Sequence, residues 1–221
     1  MAAYRRPVGQ QGGGMVRSLL SIWLHPRGTM RAALERDSRR EMLLLAALLG
    51  VALLLTSAVD DRWGETLATG WIVLIIVAGG PPFGVFWVYL MGGLLHWTGR
   101  WLGGGASPGR IRQAVAFGGI PMPWIGALTL LLVLLFGGEA FTSAQPSLGI
   151  FSLAMVIVIV LLTPVWLFLF LVAPVIIGVK CLAEVQGMTA WRALLNYLLA
   201  YSIMIGAGLA IAVVLILFTN V

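Results

Sequence analysis

The side chains that could perform chemistry are few, and they stand near the ends of long apolar segments. His96 and Arg100 are one helical turn apart, as are Lys180 and Glu184, so each pair shares a helix face and could bind an anion or form an ion pair. With 2 His and 1 Cys, the chain is poor in soft metal ligands, and it contains neither a P-loop nor an HExxH motif. These residue types predict no catalytic residue, no cofactor and no metal site.

Charged groups deep inside a membrane segment usually mark an ion or proton path. The central parts of the apolar segments carry no such group, so no coupling residue for active transport is identified. His96 and Arg100 stand beside Trp97 and Trp101, a combination typical of a belt that contacts lipid headgroups. We therefore favour a headgroup contact over a transport site at these residues.

The amino-acid composition indicates that these residues belong to a protein embedded in a lipid membrane. Hydrophobic residues make up 60% of the 221 residues and charged residues only 10%, and the mean hydropathy is +1.01. A soluble domain is about 45–50% apolar and about 25% charged, and one of this size could not bury so much apolar surface. The sequence predicts an all-α, polytopic helical membrane protein.

The apolar segments divide the chain into a membrane domain and a basic N-terminal region. We predict a disordered tail at residues 1–14 and a cytoplasmic, basic amphipathic segment at 15–41 that lies in the membrane interface. The remaining residues, 42–221, form a domain of about five transmembrane helices. Their predicted positions are near residues 42–59, 83–102, 121–136, 150–179 and 193–218.

One further apolar stretch, Leu67–Gly80, is too short for a hydrocarbon core of about 30 Å. It meets Gly79-Gly80-Pro81-Pro82, which should break a helix. We predict a re-entrant or half-length helix that ends in a tight turn. An unwound segment like those that expose backbone to a transporter substrate is the alternative.

The charges indicate the orientation. With five crossings, one side carries every basic residue except Arg62 among the 14 Lys and Arg, and the other side carries Asp60, Asp61, Glu65 and Glu139. Cytoplasmic loops are enriched in Lys and Arg. We predict a cytoplasmic N-terminus and an outer C-terminus.

The formal net charge of +6 is explained by this topology, so we predict no nucleic-acid partner. The expected partners are the lipid bilayer, its anionic headgroups, and either another membrane protein or a second copy of the chain. The side chains expected to contact lipid or a partner are Trp23, Arg27, Arg31, Arg39, Arg40, His96, Arg100, Arg110 and Arg112.

Small residues recur at four-residue spacing, which suits close helix packing. The pairs are Gly99/Gly103, Gly206/Ala210 and Gly208/Ala212. We favour packing inside the monomer over homo-oligomerisation for these pairs, because such matches arise readily in a chain with 28 Gly.

Three stretches together resemble a known family. They are IWLHPRGTMRAALERDSRR before the first span, WTGRWLGGGASPGRIRQAVAFGGIP in the middle, and AEVQGMTAWRALLNYLLA before the last span. Their order and the five-span layout resemble the bacterial branch of the YIP (Ypt/Rab-interacting protein) family, from about Leu20 to Tyr201. The resemblance implies a helical five-span bundle with a cytoplasmic N-terminus and no catalytic residues, here in a bacterial inner membrane.

Eukaryotic members of that family act in vesicle trafficking and associate with small GTPases and with one another. This chain lacks the long acidic or aromatic N-terminal region of many such members, which argues against a GTPase partner. The sequence therefore predicts a non-enzymatic protein that organises the membrane or joins other membrane or cytoplasmic proteins. The alternative is a small-molecule or lipid transporter.

Overall fold

The computed structural model describes residues 20–36, 39–143, 161, 168 and 172–219. The predicted tail at 1–14 and most of the predicted span at 150–179 lie outside the described residues. Eight α-helices are described, and no strand occurs among these residues. They are α1 (Pro26–Arg36), α2 (Arg39–Asp60), α3 (Thr69–Leu74), α4 (Gly80–Trp101), α5 (Pro108–Gly118), α6 (Pro121–Phe136), α7 (Ala173–Gln186) and α8 (Ala190–Thr219).

Four helical stretches in the described part of the chain are long and apolar enough to cross a membrane. They are Arg39–Asp60, Thr69–Trp101, Pro108–Phe141 and Ala190–Phe218. The predicted class, an all-α polytopic membrane protein, is thereby confirmed. Short 3₁₀ turns at Trp63–Glu65 and Gly137–Phe141 follow α2 and α6.

The expected break at Gly79-Gly80-Pro81-Pro82 is wrong. A π-helical turn, Ile75–Gly79, joins α3 to α4, and the helix runs on for 33 residues from Thr69 to Trp101. Pro81 and Pro82 fall in the first turn after the π turn, where the wider backbone leaves room for rings that would collide with carbonyl groups in a regular helix. The expected half-length helix is thus the first part of one helix about 50 Å long.

Glycines bring α2 and α4 into backbone contact. A Cβ atom on Gly50 would collide with the carbonyl oxygen of Gly80 and the amide nitrogen of Gly84, and one on Gly84 would collide with the carbonyl oxygen of Ala46. Such close crossings are typical of small residues in membrane helices, where packing rather than water drives association.

The centre of the bundle is α5. Its side chains from Gln113 to Phe117 are buried, and it packs against α2, α4 and α7. Gly118 at its end faces the backbone of Gly178 in α7, where an added Cβ would lie 2.8 Å from the Gly178 Cα. The arginines of α5, Arg110 and Arg112, therefore stand at the entrance to a buried helix.

The final helix divides into a packed part and an exposed part. Ala193, Asn196 and Ala200 are buried, whereas the side chains from Ile205 to Phe218 are exposed. A Cβ atom on Gly206 or Gly208 would meet nothing within 4 Å among the described residues, so the packing of these two glycines inside the monomer stays a prediction. Gly103 lies in a loop with φ +83°, so Gly99/Gly103 is not a helix-packing pair either.

Candidate functional site

The two ends of the bundle carry opposite charges. At one end, the loop with Asp60, Asp61 and Glu65 meets the 3₁₀ turn Gly137–Phe141, and the amide nitrogen of Ser143 donates a hydrogen bond of 3.1 Å to Glu65 Oε1. Hydrogen bonding to Ser143 holds the pKa of the Glu65 carboxyl below its usual value. The basic residues of α1, α2 and α5 meet at the other end.

At this basic end, an ion pair connects α1 to α7. Nε and Nη2 of Arg31 lie 3.0 and 2.7 Å from Oε1 of Glu184 in α7. The same contact raises the pKa of Arg31, first through the hydrogen bond and then through the charge of Glu184. The apolar face of α1, with Met30 and Ala33, is buried against the bundle. Arg31 is thus neutralised by a protein carboxylate.

Three other arginines line a cavity of about 560 Å³ between α2, α4 and α5. They are Arg39, Arg110 and Arg112, and Tyr89 and Gln113 are among the other residues that line it. In the part of the chain that the structure describes, none of the three guanidinium groups forms an ion pair with a carboxylate. Arg39 and Arg110 are exposed, so the cavity opens to the surface.

Arg112 is the innermost of the three. Its guanidinium carbon lies 4.2 Å from the centroid of the Tyr89 ring, a cation–π distance. Its Nε is buried and has no hydrogen-bond partner among the described residues. Tyr89 stands about 18 Å along the α4 axis from Trp101, so this positive charge lies well inside the aromatic pair Trp97–Trp101 at the helix end.

Gly92 makes the position of Arg112 possible. A Cβ atom on Gly92 would lie 2.7 Å from Cγ of Arg112, whereas one on the next residue, Gly93, would have nothing within 4 Å. The missing side chain at Gly92 lets the stem of Arg112 lie flat against α4 and reach Tyr89.

A second cavity of about 550 Å³ adjoins the first and shares Ser107 and Arg110 with it. Glu184 and Gln186 form part of its wall. The carboxylate of Glu184 gives this second cavity a mixed charge, so an anion is better stabilised in the first.

The other predicted contact residues line neither cavity. Arg27 and Arg40 are exposed, and Trp23 is half-buried against the core. On α4, His96 is half-buried and Arg100 is exposed. The structure therefore brings together Arg39, Arg110 and Arg112 and leaves the remaining predicted residues apart from them.

A buried polar cluster joins α4, α7 and α8, and the sequence analysis missed it. The hydroxyl of Thr98 donates to Oδ1 of Asn196. Nδ2 of Asn196 lies 3.0 Å from the carbonyl oxygen of Leu95 and 3.2 Å from Oε1 of Gln186. Nε2 of Gln186 donates to the same Leu95 carbonyl oxygen at 3.2 Å. An asparagine inside an apolar span was the available signal, because such residues usually bond across helices.

Glycine also provides the room for this cluster. A Cβ atom on Gly99 would lie 2.6 Å from Nε2 of Gln186 and 2.9 Å from Nδ2 of Asn196. Thr98 and Asn196 are fully buried. The cluster is therefore a closed set of hydrogen bonds that links three helices.

Fold, burial and charge distribution together define a polytopic helical membrane protein. A family model described as the Yip1 domain matches residues 20–217. The chain belongs to the Yip1 domain family, and the resemblance stated above is confirmed at that level. No curated protein and no solved structure matches it.

Proposed function

We propose that this protein is a non-enzymatic component of the bacterial inner membrane that organises the bilayer by holding anionic phospholipids at its basic, cytoplasmic end. The observation that carries the proposal is the gathering of basic residues from α1, α2 and α5 at one end of the bundle. The ion pair between Arg31 and Glu184 supports it, because the pair and the buried face of α1 hold this helix, which carries Arg27, against the bundle.

The energy of such a contact is set by surface charge. Each Lys or Arg near an anionic leaflet contributes about 1 kcal/mol. The contribution falls within a Debye length of about 8 Å at physiological salt. A handful of exposed arginines is therefore enough to enrich anionic lipid around the protein, and added salt should weaken that enrichment.

The test is the lipid selectivity of the reconstituted protein. We expect spin-labelled phosphatidylglycerol to associate with the protein more strongly than spin-labelled phosphatidylcholine, in vesicles that contain both. Joint replacement of Arg27 and Arg40 by Gln should lower this preference, whereas Arg62→Gln at the acidic end is the matched control and should leave it unchanged. Equal association of the two lipids would refute the proposal.

Organisation of the membrane would also involve other proteins. The exposed half of α8, Ile205–Phe218, leaves an apolar helix face available to lipid or to another membrane protein. Affinity purification in mild detergent, followed by mass spectrometry, would identify a stoichiometric partner or a homo-oligomer.

Transport is the second candidate, and the cluster of Thr98, Gln186 and Asn196 is the observation that favours it. These side chains provide polarity between apolar helices, as a permeation path requires. Their polar atoms bond to one another, so a path would have to open the cluster. Flux of small solutes or scrambling of lipid by the purified protein in liposomes tests this candidate, and rates equal to those of empty vesicles would exclude it.

A further inference from the structure

We propose that the cavity lined by Arg39, Arg110 and Arg112 is a specific site for a phosphate group, carried by a phospholipid headgroup or by a soluble phosphate compound. The inference rests on the proposed function and makes it more specific. It names one cavity and one ligand chemistry, where the proposed function requires only general attraction to an anionic surface.

The charge of the cavity favours an anion. Three arginines line one space, and no carboxylate among the described residues pairs with them. An arginine stays charged at every physiological pH. Like charges that share a partly buried space repel, so an anion that enters the cavity relieves this repulsion and lowers the free energy.

The cavity also contains a hydrogen-bond donor that lacks an acceptor. Nε of Arg112 is buried and forms no hydrogen bond in the described bundle, and a buried donor without an acceptor is destabilising. The ring of Tyr89 attracts the cation by its face but offers no acceptor atom there. Phosphate oxygens match the paired N–H groups of a guanidinium and would supply the missing acceptors.

The backbone at the start of α5 also favours an anion in this cavity. Helix α5 begins at the cavity with Pro108 in its first turn, and Ser107 provides no side-chain cap among the described contacts. Ser107 and Gly109 both line the cavity. Pro108 has no N–H and the amide of Ile111 bonds to the carbonyl oxygen of Ser107, so the amides of Gly109 and Arg110, with the helix dipole, are the groups of this turn that attract an anion.

Size and position agree with this ligand. A volume of about 560 Å³ falls in the range of about 300–1,000 Å³ that small-ligand pockets occupy. Basic pockets between transmembrane helices are known to hold phospholipid headgroups. Arg39 and Arg110 at the opening and Arg112 at the inner wall would contact the phosphate from different directions.

The experiment is calorimetric titration of the full-length protein in a neutral detergent. Three probes are used separately at matched ionic strength: inorganic phosphate, soluble dihexanoyl phosphatidylglycerol, and dihexanoyl phosphatidylcholine as the zwitterionic control. We expect saturable binding of at least one anionic probe. Binding of inorganic phosphate would indicate a soluble phosphate ligand, and binding of phosphatidylglycerol alone would indicate the headgroup.

Adjacent arginines provide the matched variants, because Arg39 lines the cavity and Arg40 does not. Arg39→Gln and Arg112→Gln should each weaken binding about tenfold, the effect of losing a charged hydrogen-bond donor. Arg40→Gln should change it less than about twofold. Should Arg112→Gln not fold, Arg110→Gln, at an exposed position, tests the same cavity.

Two results would overturn the inference. One is the absence of saturable binding by both anionic probes. The other is an equal loss of affinity in Arg39→Gln and Arg40→Gln, which would mean that only surface charge matters. In the second case the selectivity for spin-labelled phosphatidylglycerol would persist, so the proposed function would stand while the specific site fell.

Discussion

Two polar regions lie inside the same apolar bundle, and they differ in how their hydrogen-bonding groups are used. In the cluster of Thr98, Gln186 and Asn196, the polar side chains bond to one another and to the carbonyl of Leu95. In the arginine cavity, by contrast, Arg112 keeps a buried N–H group without an acceptor among the described residues. Polar groups that bond to one another stabilise helix contacts. Charged donors without a partner in the protein can bind a ligand. The two regions should therefore respond to mutation in opposite ways.

The largest effect is expected from Gly92→Ala. The new methyl group would press on Cγ of Arg112 and move its guanidinium away from Tyr89, without removing any charge. We expect the affinity for the anionic probe that binds to fall about tenfold, comparable to the loss of one charged hydrogen bond, with the unfolding midpoint little changed. Gly93→Ala is the matched control because its Cβ atom meets nothing within 4 Å. Equal affinities of the two variants would contradict the described position of Arg112.

Asn196→Leu tests the opposite response. The substitution leaves Oε1 of Gln186 without its donor, so we expect a loss of unfolding free energy of about 1 kcal/mol. The change would be measured as a lower midpoint of unfolding in detergent. Ser202→Leu, at an exposed position of the same helix, is the control. Anion affinity should remain as in the native protein. A loss of both the unfolding midpoint and the anion affinity would show that the two regions do not respond differently.

Arg31 sharpens the comparison because it is an arginine whose charge a protein carboxylate already neutralises. Its side chain is 69% exposed, so we expect Arg31→Gln to have a small effect on global stability. The amides of α1 should exchange hydrogen several-fold faster, since the helix loses its ion pair with Glu184 of α7. The charge swap Arg31→Glu with Glu184→Arg should restore slow exchange. Slow exchange in the single variant would show that apolar contacts alone hold α1.

The smallest effect is expected at the acidic end. Hydrogen bonding to Ser143 lowers the pKa of Glu65 below the ordinary value of 4.5. A lowered pKa adds stability at pH values above 4.5, and that contribution is lost as the pH falls through the lowered pKa. The native protein should therefore exceed Glu65→Gln slightly in unfolding midpoint at pH 7, and the difference should vanish in strong acid.

The course of the chain through Gly79–Pro82 could not be predicted from residue types alone. Pro81 and Pro82 break a regular α-helix, and the sequence carries no direct mark of a π turn. Beyond the turn, Gly80 and Gly84 lie against Gly50 and its neighbours in α2. Contacts with a neighbouring helix can override a local preference that extends over only four residues, and such contacts cannot be read from the sequence.

The sequence by itself determined those properties that can be added up along the chain, namely hydropathy and charge. Hydropathy added over a window identifies membrane segments, and the distribution of Lys and Arg separates a basic end from an acidic one. The same reasoning selected Arg39, Arg110 and Arg112, though only among nine candidates of equal standing. Only the tertiary structure decided that these three share a cavity while Arg31 meets Glu184. It also decided that Asn196 reaches Gln186. Each of these contacts joins residues on different helices, and their distances depend on how whole helices pack.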